Sequence, residues 1–179
     1  DQIVAMRAII QQQIIVDPNA NKNIDVLGVA QLGNNACVHV LNIRDGRMLG
    51  SKQYFLVAEL QIETSAEVIL SNFLLQYYRN LPAGNLLPHE ILIPHKLSDI
   101  TIIVDALKQF TQKTIKITAS SRGDRAKWLQ MAQVSAQESL KARLRYDSKL
   151  EQQLQLLGTA LGINGNLKRI ECFDVSHTQ

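Results

Sequence analysis

Cysteine is scarce in this chain: Cys37 and Cys172 are the only two among 179 residues. They fall on different apolar segments with no metal-ligand spacing between them. That argues against a disulfide framework and against a cysteine-built metal site, and it points to a reducing, cytoplasmic setting. No run of residues approaches the ~20 consecutive apolar positions that a bilayer span needs. No signal-peptide pattern opens the chain, and no membrane partner is expected. A GxxxxGK[ST] phosphate loop is also missing. Gly46 and Gly50 belong to hairpin geometry.

Disorder is excluded by what is present. Hydrophobic residues make up 46% and charged residues 20%, enough apolar surface to build a self-supporting core at this length. The net charge is +3 and unevenly spread: residues 1–121 hold ten Lys/Arg against ten Asp/Glu, whereas residues 122–179 hold nine against six. The whole excess therefore lies in the last third, which is compatible with phosphate contact and equally with solvated cationic helix faces. The chain starts at Asp1 inside an amphipathic segment and without a Met, so it is expected to be cut from a longer protein.

Periodicity divides the chain. Ile3, Met6, Ile10 and Ile14 recur at helical spacing, and Asp17-Pro18-Asn19-Ala20-Asn21 then stops the helix. From Asp25 the pattern turns to strand: the run Val26-Leu27-Gly28-Val29-Ala30, a turn at Gly33-Asn34-Asn35, and the β-branched stretch Cys37 to Arg44. Asp45-Gly46 is a strong hairpin signal, because type I′ turns need positive φ at both central positions. Arg47 to Val57 completes a three-strand antiparallel meander. Ser65 caps a predicted helix through Val68, Ile69, Phe73, Leu74 and Tyr77. A short strand follows at His89 to Pro94, then a second helix from Ser98 through Phe110 and a fifth strand at Thr114 to Thr118. The loop Ser120-Ser121-Arg122-Gly123-Asp124-Arg125 leads into a long helix that runs to Gly158. After a polar loop, Ile170 to Gln179 reads as a terminal strand. Three antiparallel strands followed by α-β-α-β is the element order of a ribonuclease H-like α/β fold.

Nucleases of that fold hold two divalent cations on carboxylates from the first strand, the neighbourhood of the fourth strand, and helices. The first strand here, Val26 to Gln31, has no internal carboxylate, and Asp25 at its edge reads as a turn residue. The fourth strand ends on His95. The module between residues 24 and 120 is thus expected to lack a catalytic set. His39, alternating with apolar residues, reads as a packed or surface histidine rather than a ligand. Glu59, Glu63 and Glu67 suit a helix N-terminus, and Lys141, Arg143, Arg145 and Lys149 read as a solvated basic face. Two features remain. Arg122, Arg125 and Lys127 gather cations at a loop–helix junction, where free backbone N–H groups also favour anions. Asp174, flanked by Phe173 and Val175, is a lone carboxylate on an apolar strand, and such a group needs a partner such as a metal or a cap.

The stretch Arg169-Ile170-Glu171-Cys172-Phe173-Asp174-Val175-Ser176-His177-Thr178-Gln179 closely resembles the motif that opens the catalytic ribonuclease H-like domain of the UvrC family, the nuclease subunits of bacterial UvrABC excision repair. Arg122-Gly123-Asp124-Arg125 with Trp128-Leu129, Leu87 to Leu92, and Arg44 to Gly50 also resemble that family. The opening helix, Asp1 to Gln13, is similar to the end of its UVR motif. The resemblance implies the following division: residues 1–20 close the UVR motif and its linker, 24–120 form a ribonuclease H-like module without catalytic carboxylates, 121–166 connect, and 167–179 begin the 5′ nuclease. It implies that Asp174 is that nuclease's first metal-binding carboxylate, with Mg²⁺ or Mn²⁺ as cofactor of the full-length protein and none in this segment. It implies UvrB as partner through the UVR motif, and damaged double-stranded DNA as substrate, cut on both sides of a lesion. The alternative is a non-catalytic scaffold contacting UvrB or DNA.

Overall fold

The computed structural model describes residues 23–57, 65–82, 86–119, 122–163, 165, 167 and 170–171. The predicted opening helix and the terminal strand from Cys172 onward, Asp174 included, lie outside the described residues. The chain divides into two compact units, Asp1–Leu140 and Lys141–Gln179.

The first unit is built on a sheet. Strands β1 (Ile24–Leu32), β2 (Asn35–Arg44) and β3 (Arg47–Val57) form the predicted meander. Its first turn uses Gly33 at φ 57°, and its second uses Asp45 at φ 49° and Gly46 at φ 70°. Positive φ at both central residues is the type I′ geometry, whose twist matches that of the strands it joins. Helix α1 (Ala66–Arg79) follows, and the Ser65 hydroxyl accepts a hydrogen bond from the Val68 N–H at 3.3 Å. Strand β4 (Glu90–Leu92), helix α2 (Ile100–Thr111) and strand β5 (Lys116–Thr118) complete the order. The sheet runs β3-β2-β1-β4-β5, with β1, β4 and β5 mutually parallel and the meander antiparallel. This is the mixed-sheet arrangement that the element order predicts.

Strand alternation sorts side chains between two cores. Leu27, Val29, Val38, Val40, Ile91 and Ile93 pack under α1 and α2 against Leu70, Leu74, Ile103 and Leu107. On the opposite face, Ile24, Val26, Leu41, Ile43 and Leu92 pack against Trp128 and Ala132 of α3 (Asp124–Ala160). Full burial of one such aliphatic side chain stabilises by about 2 kcal/mol, so each face is a substantial contribution. Helix α3 comes so close to β1 that a Cβ at Gly28 would overlap the backbone of Ala132. In the second unit α3 ends with Gly162 at φ 65°, and the Ile163 N–H donates back to the Gly158 carbonyl at 2.9 Å. That is the left-handed glycine stop expected at a helix C-terminus.

Candidate functional site

Asp25 is not a turn residue. It is the second residue of β1, 1% exposed, and projects from the same face as Leu27 and Val29. The sequence reading missed its role because a carboxylate can be buried only when partners replace its water, and here they do. Arg44 Nη1 and Asn42 Nδ2 donate to Asp25 Oδ1 at 2.7 and 2.9 Å, and the Tyr78 hydroxyl donates to Oδ2 at 2.6 Å. Arg44 is equally committed: Nη1 also reaches the Ile24 and Ile43 carbonyls, and Nη2 donates to the Leu86 carbonyl at 2.9 Å. One buried ion pair thus ties β1, β2, α1 and the approach to β4 together. Burial, then the nearby Asp25 charge, pushes the Tyr78 hydroxyl well above its ordinary pKa, so it stays a donor.

A second buried carboxylate, Glu90, begins β4 beside Asp25, since Ile24 pairs with Glu90 in register. It points to the other face. Arg125 grips it with both terminal nitrogens at 3.0 Å, and the Thr118 hydroxyl donates at 2.6 Å. The two sheet carboxylates therefore lie on opposite faces, each already filled by an arginine and by neutral donors. Neither fits a divalent cation, which needs carboxylate oxygens converging on one point. Among the described residues, no group of three His, Cys, Asp or Glu side chains could hold a metal ion.

The predicted cation cluster is pulled apart. Arg125 turns inward to Glu90, Lys127 pairs with Asp124 at 3.1 Å on the exposed surface, and Arg122 is exposed ahead of α3. Gln133, which sequence reasoning did not single out, closes the edge of β1 beyond the end of β4. The Val29 N–H donates to Gln133 Oε1 at 3.1 Å, and Gln133 Nε2 donates to the Val29 carbonyl at 2.6 Å. The side-chain amide imitates the missing strand. His39 is packed, as one of its two sequence readings had it. Neither of its ring nitrogens has a hydrogen-bond partner among the described residues, and burial lowers its pKa. The Cys37 thiol, beside it on the same face, is pushed up to about 11 by burial.

One concavity of roughly 1060 Å³ opens over the α1 side of the meander. Its walls include Tyr54, Phe73 and Tyr77, with Arg44 at its base and Leu49 and Lys52 along β3. Phe73 and Tyr77 stack at 5.2 Å, and Tyr54 meets both at 5.2 and 5.5 Å. Burial, followed by the neighbouring Tyr54 and Asp25, pushes the Tyr77 hydroxyl up to about 12.

Comparison with known proteins decides what this sheet is. The UvrC ribonuclease H-like domain matches residues 23–143. The chain belongs to the UvrC family. A "UvrABC system protein C" of Shewanella frigidimarina is 36% identical over 178 residues, covering 99% of this chain and 28% of that protein. The protein of the same name from Salmonella typhi is 38% identical over the same length and the same shares. The chain thus spans less than a third of the length of the curated relatives it matches. Human ENDOV is a structural neighbour at 11% identity and a TM-score of 0.36, over 68% of this chain and 63% of that one. The family match and the strand order together give the fold as ribonuclease H-like.

Proposed function

We propose that this chain is the non-catalytic ribonuclease H-like module of an excision-repair endonuclease subunit, carried between its UVR segment and the start of its 5′ nuclease. The observation that carries this reading is the state of the two sheet carboxylates. Asp25 and Glu90 are spent on Arg44 and Arg125 on opposite faces, leaving no converging oxygens among the described residues for metal-assisted phosphodiester hydrolysis. In the parent protein that hydrolysis, with Mg²⁺ or Mn²⁺, would use Asp174 and acids outside this chain. UvrB would be met through the segment 1–20, and damaged DNA would be the substrate of the whole assembly. The name shared by relatives at 36–38% identity supports that setting.

The test is a nicking assay on supercoiled plasmid with this chain in Mg²⁺ or Mn²⁺. No cleavage is expected. Metal-dependent nicking that Asp174→Ala abolishes would overturn the reading. For DNA contact, charge reversal should be confined to Arg122 and Lys127, because reversing Arg125 would strand the buried Glu90. Phosphate contacts weaken steeply with salt. If reversal at those two positions leaves salt-dependent DNA binding of the full protein unchanged, the module acts as a scaffold without touching phosphates at this junction.

A further inference from the structure

Strand β3 is the outermost strand of the sheet, and along Arg47–Tyr54 its outer edge has no strand partner among the described residues. Eight residues of strand span about 26 Å, and an uncovered edge presents unpaired N–H and C=O groups along that length. The protections this edge carries are the exposed Arg47 and Lys52 and a bulge that leaves Leu49 without a partner in β2. This stretch contains no proline, and its register irregularity sits at Asn42/Ile43, near the hairpin end, leaving Ser51 to Val57 regularly paired with β2. Leu49, a large apolar side chain, is 68% exposed on it.

The same strand borders the aromatic-walled concavity. Leu49 through Leu56 line it from β3, and Phe73, Gln76 and Tyr77 line it from α1. An extended segment laid along β3 would make main-chain hydrogen bonds with the edge and drop alternate side chains toward the groove, the arrangement of β-strand addition. The charge selects the occupant. The lining holds one carboxylate, Asp25, already saturated by Arg44, Asn42 and Tyr78. Lys52 in the lining and Arg47 at the start of the strand form no ion pair among the described residues, and both are exposed.

We propose that the edge of β3 and its adjoining groove form a docking site for an extended, acidic, apolar-alternating segment of a partner protein, which adds a sixth strand to the sheet. This site is separate from any nuclease chemistry and does not depend on the reading above. The probes are an acetylated eight-residue peptide alternating Glu and Val, its Lys/Val counterpart, and an eight-nucleotide single-stranded oligodeoxynucleotide. Binding to the 179-residue chain is followed by anisotropy, and the site by amide hydrogen exchange.

The expected result is that the Glu/Val peptide binds at least tenfold more tightly than the Lys/Val peptide. It should slow exchange at amides within Arg47–Tyr54. The double variant Arg47→Glu, Lys52→Glu should weaken it at least tenfold with an unchanged melting temperature; both side chains are exposed, so folding is not at stake. Absence of peptide binding at millimolar concentration overturns the proposal. So does equal binding of the two peptides, protection confined to other strands, or oligonucleotide binding at β3 in place of the peptide, which would make the groove a nucleic-acid site.

Discussion

Replacing Arg44 with Met tests the central structural claim. The substitution keeps most of the aliphatic volume and deletes every donor that Arg44 supplies: the 2.7 Å ion pair to Asp25, and the bonds to the Ile24, Ile43 and Leu86 carbonyls. Asp25, 1% exposed, keeps only Asn42 and Tyr78. Breaking one side of a buried pair costs about 3–5 kcal/mol, because the remaining charge is uncompensated. Against a typical total of about 5–15 kcal/mol, that is a large fraction. The assay is urea denaturation, in which the midpoint should fall with the slope unchanged. The double variant Arg44→Met, Asp25→Asn removes the stranded charge along with its partner. It should recover at least about 1.5 kcal/mol relative to the sum of the single changes, since residues in direct contact are not additive. A loss below about 1 kcal/mol for Arg44→Met, or strict additivity in the double variant, would refute the claim that this carboxylate is a buried structural charge.

Four further outcomes follow from the same geometry. Gly28→Ala forces a methyl group into the Ala132 backbone, so the chain should lose about 3 kcal/mol or more by thermal unfolding, at the upper end of overpacking costs. Tyr78→Phe removes one hydrogen bond to a charged oxygen and should cost about 1.5–3 kcal/mol in the same melt. His39 is buried neutral with a lowered pKa, so the unfolded chain takes up its proton first on acidification. Stability should therefore fall as pH drops below the ordinary histidine value near 6.5, and His39→Leu should flatten that slope in denaturation curves at successive pH values. The Cys37 thiol, buried and raised to about 11, should resist a thiol reagent at neutral pH until the unit unfolds, which timed labelling in native and denaturing buffer will show.

Much of this fold was legible because its signals are local. Asp45-Gly46 specified the second hairpin through backbone conformation, and Ser65 specified the start of α1 through its cap. The buried pairs were not local, yet one of them left a trace. With a two-residue turn at Gly33-Asn34, the register Leu32↔Asn35 carries down the hairpin to Asp25↔Asn42. That places Arg44 diagonally across from Asp25, within reach of a long side chain. Glu90 with Arg125 left no such trace, since one sits on a three-residue strand and the other on a helix 35 positions away. Gln133 was likewise silent: a glutamine on a helix reads as surface until β1 is seen to outrun β4.

The filled carboxylates also bear on why this fold would be kept if, as proposed, the module is non-catalytic. A ribonuclease H-like metal site concentrates like charges that repel one another until cations arrive, so its geometry is completed by ligand. Here each carboxylate instead meets a fixed guanidinium, and each pair spans elements that the chain brings together from afar. Asp25 and Arg44 join the meander to α1 and Leu86, while Glu90 and Arg125 join β4 to α3. Such a sheet holds its shape without metal. Under the scaffold reading that property matters more than catalysis, because the first turns of α3 are held on the sheet by the Arg125 clamp and the close contact of Ala132 on Gly28. If the parent protein cuts 5′ of a lesion and meets UvrB through residues 1–20, as proposed, Gly28→Ala should lower that incision more than UvrB binding, a split that separate measurements of the two would reveal. Equal loss of both would instead mean that the whole unit had unfolded.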